Sequence, residues 1–101
     1  MFARIARYDV GEDRIEEAID AFREAASQLG DLNGLRGGYV FANAEDEVLI
    51  SLTLWDSRAA MDTSEVRAAR LRQEAVKQVE GSVASVHTLE VAFEISAGVK
   101  A

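Results

Sequence analysis

Eight consecutive residues, Val48–Trp55, read VLISLTLW and carry no charge; Ser51 and Thr53 are their only polar side chains. A strand with this pattern is apolar on both faces, unlike the alternating strand of a sheet that wets one side. Something must cover each face. What the rest of the chain offers for that task decides the fold.

Residues 2–10 read as a first strand, with Phe2, Arg4, Ala6, Tyr8 and Val10 on one face and Ala3, Ile5, Arg7 and Asp9 on the other. Gly11 turns the chain, and Asp13 with Glu16 forms a candidate capping box. Ile15, Ala18, Ile19, Phe22, Ala26 and Leu29 then recur at intervals of three and four, the stripe of an amphipathic helix that Gly30 stops. A second strand, LRGGYVFANA, contains Gly37 and Gly38, which point to a bulge or a close backbone approach. The polar turn at residues 44–47 closes a hairpin onto Val48–Trp55. Beyond Trp55 the spacing predicts a short turn at residues 58–61, then a helix capped by Ser64 and running to about Glu80, with Ala68, Leu71, Ala75 and Val79 inward. After Gly81, residues 82–95 read as a last strand with Val83, Ser85, His87, Leu89, Val91, Phe93 and Ile95 on one face.

The order is β-α-β-β-α-β, an α+β, ferredoxin-like arrangement with both helices on one face of a four-stranded antiparallel sheet. Residues 1–96 form one expected domain, and residues 97–101 a frayed tail. Two helices cover one face only. Leu49, Thr53 and Trp55, with Tyr39 and Phe41 if the hairpin register allows, are expected to form an apolar patch on the other. Patches of that kind mark interfaces or ligand grooves. Two sheets packed about a two-fold axis would bury it, so a homodimer is expected.

Composition narrows the function. Cysteine is absent, which excludes disulfides, thiolate metal sites and a cysteine nucleophile. Eighteen acids against eleven bases give a net charge of −7, which repels nucleic acid and anionic membranes, so neither is an expected partner. The run RAARLR, with Arg67, Arg70 and Arg72, reads as a solvated helix face because Glu65 and Glu74 flank it at helical spacing. No apolar run approaches the ~20 residues of a membrane span. Arg4, Arg7 and Asp9 interrupt any signal-peptide apolar core, so a cytoplasmic location is the expectation.

The stretches FARIARYDVGEDRIEEAIDAF, GLRGGYVF and LTLWDSRAAMDTSEVRAARLR together resemble the antibiotic-biosynthesis-monooxygenase (ABM) type domains of the dimeric α+β barrel superfamily. The resemblance spans nearly all of residues 1–96 and implies a dimeric α/β barrel. It also implies oxygenase chemistry without metal or flavin, hence no cofactor, on an electron-rich phenolic, quinol-like or polyketide-like molecule. Once ionised, such a molecule can donate an electron to oxygen itself. The haem-degrading branch is a poor match: its strand-one asparagine, second tryptophan and second-helix histidine have no counterparts here.

Such a reaction needs an apolar cavity, a proton acceptor and a positive group beside the forming oxyanion. Trp55 with Tyr39 or Phe41 can sandwich an aromatic ring, with Thr53 and Met61 beside it as further substrate-binding candidates. Arg4 is the candidate for the oxyanion and His87, the only histidine, for the proton. Each has a plainer role. Trp55 can fill the core, Arg4 can pair with an acid, His87 can be half-buried and satisfied, and Met61 can fill a gap. No second imidazole joins His87, so no metal site is expected. The alternative to an oxygenase is a non-catalytic barrel that binds a small ligand or is a structural dimer.

Overall fold

The computed structural model describes residues 1–98. Its elements are β1 (Phe2–Asp9), α1 (Ile15–Ser27), β2 (Leu35–Asn43), β3 (Val48–Trp55), α2 (Arg58–Gln78) and β4 (Ser82–Glu90). Every strand pair is antiparallel, in the sheet order β2-β3-β1-β4. The ferredoxin-like order read from the sequence is therefore the observed one. β2 and β4 are the sheet's two edges.

Register decides which face meets the helices. β1 sets Phe2, Arg4, Ala6 and Tyr8 opposite Trp55, Thr53, Ser51 and Leu49 of β3. Directly opposed residues share a face. Ala6, Tyr8 and Leu49 join Ala18 and Phe22 of α1 and Ala75, Val76 and Val79 at the end of α2 in one core cluster, so this is the helix-covered face. Tyr8 and Phe22 pack ring to ring at 4.5 Å.

That register overturns the expected patch. Leu49 and Trp55 are fully buried under the helices, and Thr53 lies on the same side. The face left open carries Ala3 and Ile5 of β1, Ile50, Leu52 and Leu54 of β3, and Tyr39 and Phe41 of β2. Tyr39 and Phe41 are 67% and 51% exposed and stack at 5.9 Å. β3 is apolar on both sides, as its sequence requires, but only one side is covered within the chain.

Four local expectations are corrected. Asp13 does not cap α1: its backbone is left-handed (φ 57°) and its N–H is donated to the Glu47 carboxylate at 2.7 Å. Arg14 occupies the cap position with no side-chain cap, and the helix ends at Ser27. Ser64 does not start a helix either. α2 is continuous from Arg58, because the Ser57 Oγ accepts the Ala60 N–H at 3.1 Å and caps it one turn earlier. A register shift between Arg7 and Tyr8 breaks the alternation of β4, so Val83 packs on the core while His87 faces the open side opposite Ile5. β4 stops at Glu90 rather than Ile95: its ladder with β1 ends at the Phe2–Glu90 pair, after which the Met1 carbonyl accepts the Val91 N–H at 2.9 Å. Residues 91–98 carry no regular structure, and residues 99–101 of the expected frayed tail lie outside the described residues.

The glycine pair behaves as its sequence suggests. The β2 ladder shifts between Leu35 and Gly37, and Gly37 has φ 135°. A Cβ on Gly38 would lie 2.1 Å from the Leu52 carbonyl oxygen, so β2 can approach β3 this closely only without a side chain there. No helix among the described residues is long and apolar enough to cross a membrane.

Because Leu49 is sealed in the core, its truncation should act on the fold. Leu49→Ala should lower the unfolding free energy by about 2–5 kcal/mol in urea titration, while a loss below about 1 kcal/mol would contradict the packing described.

Candidate functional site

A cavity of about 480 Å³ lies between the sheet and the helices, toward the β2 side. Its walls come from α1 (Ile19, Phe22, Ala25, Ala26), from Leu29 beyond it, from β2 (Gly38, Val40, Ala42) and from Leu71 of α2. The volume falls within the ~300–1,000 Å³ usual for small-molecule sites. The space exists because β2 presents glycine and alanine inward where the core end of the sheet presents Tyr8 and Leu49.

Polar groups converge on one side of it. Arg4, Tyr8, Ser51, Thr53 and Arg72 all border the cavity. Tyr8 is fully buried and Arg4 is 4% exposed, so both border the space while offering it almost no accessible surface. The less enclosed polar side chains that border it are Arg23, Tyr39, Ser51, Thr53 and Arg72. The Ser51 Oγ and Tyr8 hydroxyl share a hydrogen bond of 2.8 Å, so Tyr8 orients Ser51. Burial raises the Tyr8 pKa above its ordinary value, with the Ser51 bond and the nearby arginines opposing. The phenol thus stays protonated at neutral pH.

Arg4 is the anchor of this corner. It donates to the Met61 carbonyl oxygen at 2.6 Å and to the Ser64 Oγ at 3.2 Å, and its Nε lies 3.1 Å from Glu65 Oε1. Its guanidinium sits 5.5 Å from the centroid of the Trp55 ring. Burial lowers the Arg4 pKa, and Glu65 pushes it back up; an arginine nonetheless keeps its charge in a protein. Glu65 also holds Arg72 at 2.8 Å through its other oxygen. One half-exposed carboxylate therefore ties β1 to α2 and steadies the arginine at the cavity wall.

The residues singled out in the sequence divide between the two faces. Arg4, Thr53 and Trp55 meet on the helix side. Arg4 also reaches the backbone of Met61, which is itself buried. Trp55 does not border the cavity: it is fully buried behind Thr53, whose Oγ1 accepts its Nε1–H at 3.0 Å. Tyr39 borders the cavity from β2 while its ring stacks on Phe41, across the sheet from Trp55. The expected ring sandwich of Trp55 with Tyr39 or Phe41 therefore cannot form within one chain. His87 is on the open face and Arg4 on the covered one, so the two cannot serve one site in the same protomer.

Ser51 and Arg72 were not legible as site residues. Ser51 sits inside an apolar strand, and Arg72 belongs to a charge run whose Arg67 and Arg70 are indeed exposed. Only the spacing of Leu71 and Arg72 beside an inward stripe hinted that one arginine flanks the core. Among the described residues, no group of three His, Cys, Asp or Glu side chains is placed to hold a metal ion.

Known proteins agree with this geometry. The family model for antibiotic biosynthesis monooxygenase matches residues 1–69. The chain belongs to that family. Among solved structures, a candidate antibiotic biosynthesis monooxygenase from Deinococcus radiodurans superposes with a TM-score of 0.79 at 13% identity, covering 98% of this chain and 100% of that one. SnoaB, a cofactor-independent oxygenase from Streptomyces nogalater, gives 0.76 at 11% identity over 95% and 97% of the two chains. Rv0793 from Mycobacterium tuberculosis gives 0.71 at 19% identity over 94% and 98%. At these identities the likeness is one of fold. A comparison with curated proteins finds no match.

The Tyr8–Ser51 pair should show itself in the pH dependence of stability. Tyr8 has a raised pKa when folded, so above pH ~10 the unfolded chain releases this proton first. Its contribution is full below that pH and is lost as the pH climbs toward the folded pKa. Tyr8→Phe should cost about 0.5–1.5 kcal/mol at pH 7 and make the decline between about pH 9 and 11 shallower, as read from urea midpoints. An unchanged slope would mean that the phenol is not protected.

Proposed function

We propose that the protein is a cofactor-independent monooxygenase whose substrate is a small aromatic, quinol-like or polyketide-like molecule held in the cavity between sheet and helices. One observation carries this reading: a largely apolar cavity of about 480 Å³ bordered on one side by the hydroxyls of Ser51 and Thr53 and by Arg72. The family membership and the fold shared with SnoaB, itself a cofactor-independent oxygenase, support it.

The titratable groups bordering the cavity are Arg4, Tyr8, Arg23, Tyr39 and Arg72, with no carboxylate or imidazole among them. A wall of that kind favours an occupant that ionises easily. Arg72 would stabilise a phenolate, and Ser51, oriented by Tyr8, would donate to or accept from a second oxygen. The ionised ring would pass one electron to dioxygen, and recombination of the ring radical with superoxide would form a carbon–oxygen bond as a peroxide. Once that peroxide is protonated, loss of the ring C–H proton breaks its O–O bond and releases water, leaving a quinone, with the substrate supplying every electron. Proton removal falls to water or to the substrate's own acidity, because His87 is on the far face. The absence of a base from the wall favours the second reading, a barrel that binds such a molecule without turning it over.

The same reading includes a homodimer. Ile5, Leu52, Leu54, Tyr39 and Phe41 form an apolar sheet face that no element among the described residues covers. A second copy packed face to face would bury it. Leu52→Asp should therefore yield monomers by light scattering, and a wild type that is already a stable monomer would remove this part of the proposal.

Oxygen uptake with a panel of hydroquinones and hydroxynaphthalenes, without added metal or flavin, tests the activity. Arg72→Gln should slow turnover roughly a hundred- to thousandfold, the usual effect of losing one oxyanion contact. His87→Ala should leave the rate near the wild-type value. Binding by calorimetry with no oxygen uptake in the wild type would select the non-catalytic reading.

A further inference from the structure

We propose that the occupant of the cavity is an aromatic hydroxy acid whose carboxylate lies in the corner formed by Ser51, Thr53 and Arg72. This rests on the function proposed above and gives a chemical identity to the second oxygen group that Ser51 meets.

Both hydroxyls are set from behind by buried donors. Tyr8 is fully buried, and among the described residues its hydroxyl has one hydrogen-bond partner, the Ser51 Oγ at 2.8 Å. A buried phenol proton without an acceptor is costly, so Tyr8 donates and Ser51 accepts. The Ser51 proton is then free for another acceptor. Thr53 is arranged the same way. Its Oγ1 accepts the Trp55 indole N–H at 3.0 Å, and an indole N–H is a donor only. Neither hydroxyl has a further side-chain partner among the described residues. Two residues apart on one face of β3, they offer two protons to the cavity they border. This arrangement also gives the buried Trp55 a part in the site, as the group that turns Thr53.

The charge balance agrees. Arg4 and Arg72 share a single carboxylate, Glu65, which stands 3.1 Å from the first and 2.8 Å from the second. Asp62, one turn earlier on α2, faces Arg58 instead, at 3.8 Å. Two guanidiniums against one carboxylate leave a positive charge unmatched at this corner. Arg72 uses one nitrogen on Glu65 and makes no other hydrogen bond among the described residues, so most of its fork is free. Its charge bears on both Tyr8 and Arg4, which places it beside the two hydroxyls. Of the chain's eighteen acids, none borders the cavity.

Donors and unmatched positive charge together call for an occupant that is ionised before it binds. A simple phenol, with a pKa of ~10, arrives neutral at pH 7 and balances nothing. A carboxylic acid, with a pKa of about 4, arrives charged, and its two oxygens take several donors at once. The apolar wall of Ile19, Phe22, Ala26, Leu29 and Leu71 receives the ring. Arg72 then spans the carboxylate and the oxygen that ionises during reaction.

Calorimetry under nitrogen, where neither ligand is oxidised, tests this with gentisate, a hydroquinone bearing one carboxylate, and with its methyl ester. The two share a ring and its hydroxyls and differ in charge. Gentisate should bind the wild type at least about tenfold more tightly than the ester, the usual effect of one charge-assisted contact. Arg72→Gln should bring the two affinities together. Ser51→Ala combined with Tyr8→Phe removes a donor without stranding the buried phenol, and it should weaken gentisate by about tenfold while leaving the ester nearly unchanged. Equal affinities in the wild type would overturn the carboxylate and leave the cavity reading standing. Binding of neither compound would overturn both.

Discussion

A four-stranded sheet has two faces, and this chain has two helices with which to cover one. The limit is geometric, and it organises the rest of the molecule. β3 is apolar on both sides, so half of its side chains are buried by α1 and α2 and half stand on an uncovered face. The sheet's edges repeat the problem, since β4 runs out of partners at Glu90 and β2 has none on its outer side. The open face and the cavity bordered by α1 and β2 both lie where coverage within the chain stops.

Within the covered face, one buried guanidinium does most of the positioning. Arg4 binds the first turns of α2 through Met61 and Ser64 and lies against Trp55. A buried charge is tolerated only when it is paired, and here α2 brings the Met61 carbonyl, the Ser64 hydroxyl and the Glu65 carboxylate, although the Arg4 Nε faces Glu65 Oε1 at 3.1 Å without a hydrogen bond. Glu65 couples that anchor to Arg72, so the arginine at the cavity wall is held by the same network that ties β1 to α2. Arg4 is better described as a positioning residue than as one that meets a ligand, because it is almost wholly enclosed.

The strand and helix order was readable because periodicity and glycine punctuation agree from end to end. The facing of β3 was not. Leu49, Thr53 and Trp55 on one side and Ile50, Leu52 and Leu54 on the other are equally apolar, and only pairing with β1 chooses between them. That single choice moved Trp55 from a ring-binding role into the core and separated Arg4 from His87. The ends of α1 and α2 were misread for a related reason. Asp13 and Ser64 have the chemistry of caps, but the Asp13 backbone is left-handed (φ 57°), and Ser64 lies inside a helix already capped by Ser57, its Oγ accepting from Arg4. Arg72 was hidden by its neighbours, since a run of arginines reads as solvated until the helix phase is known.

A chain of this length buries only about 60–65% of the surface its unfolded form exposes, so unfilled space is expensive. This chain nevertheless keeps a cavity of about 480 Å³ between its layers and leaves an apolar sheet face bare. Filling the cavity would have required only larger residues than Gly38 and Ala42 on β2. At Gly38 the Leu52 carbonyl forbids it, because any side chain there would push β2 off β3. The hollow is thus built into the backbone pairing rather than left by poor packing. Its polar lining, Ser51 set by Tyr8 and Arg72 set by Glu65, is fixed by groups that offer the space almost no accessible surface. A hollow maintained in this way, with donors already oriented around it, has the form of a preorganised binding site.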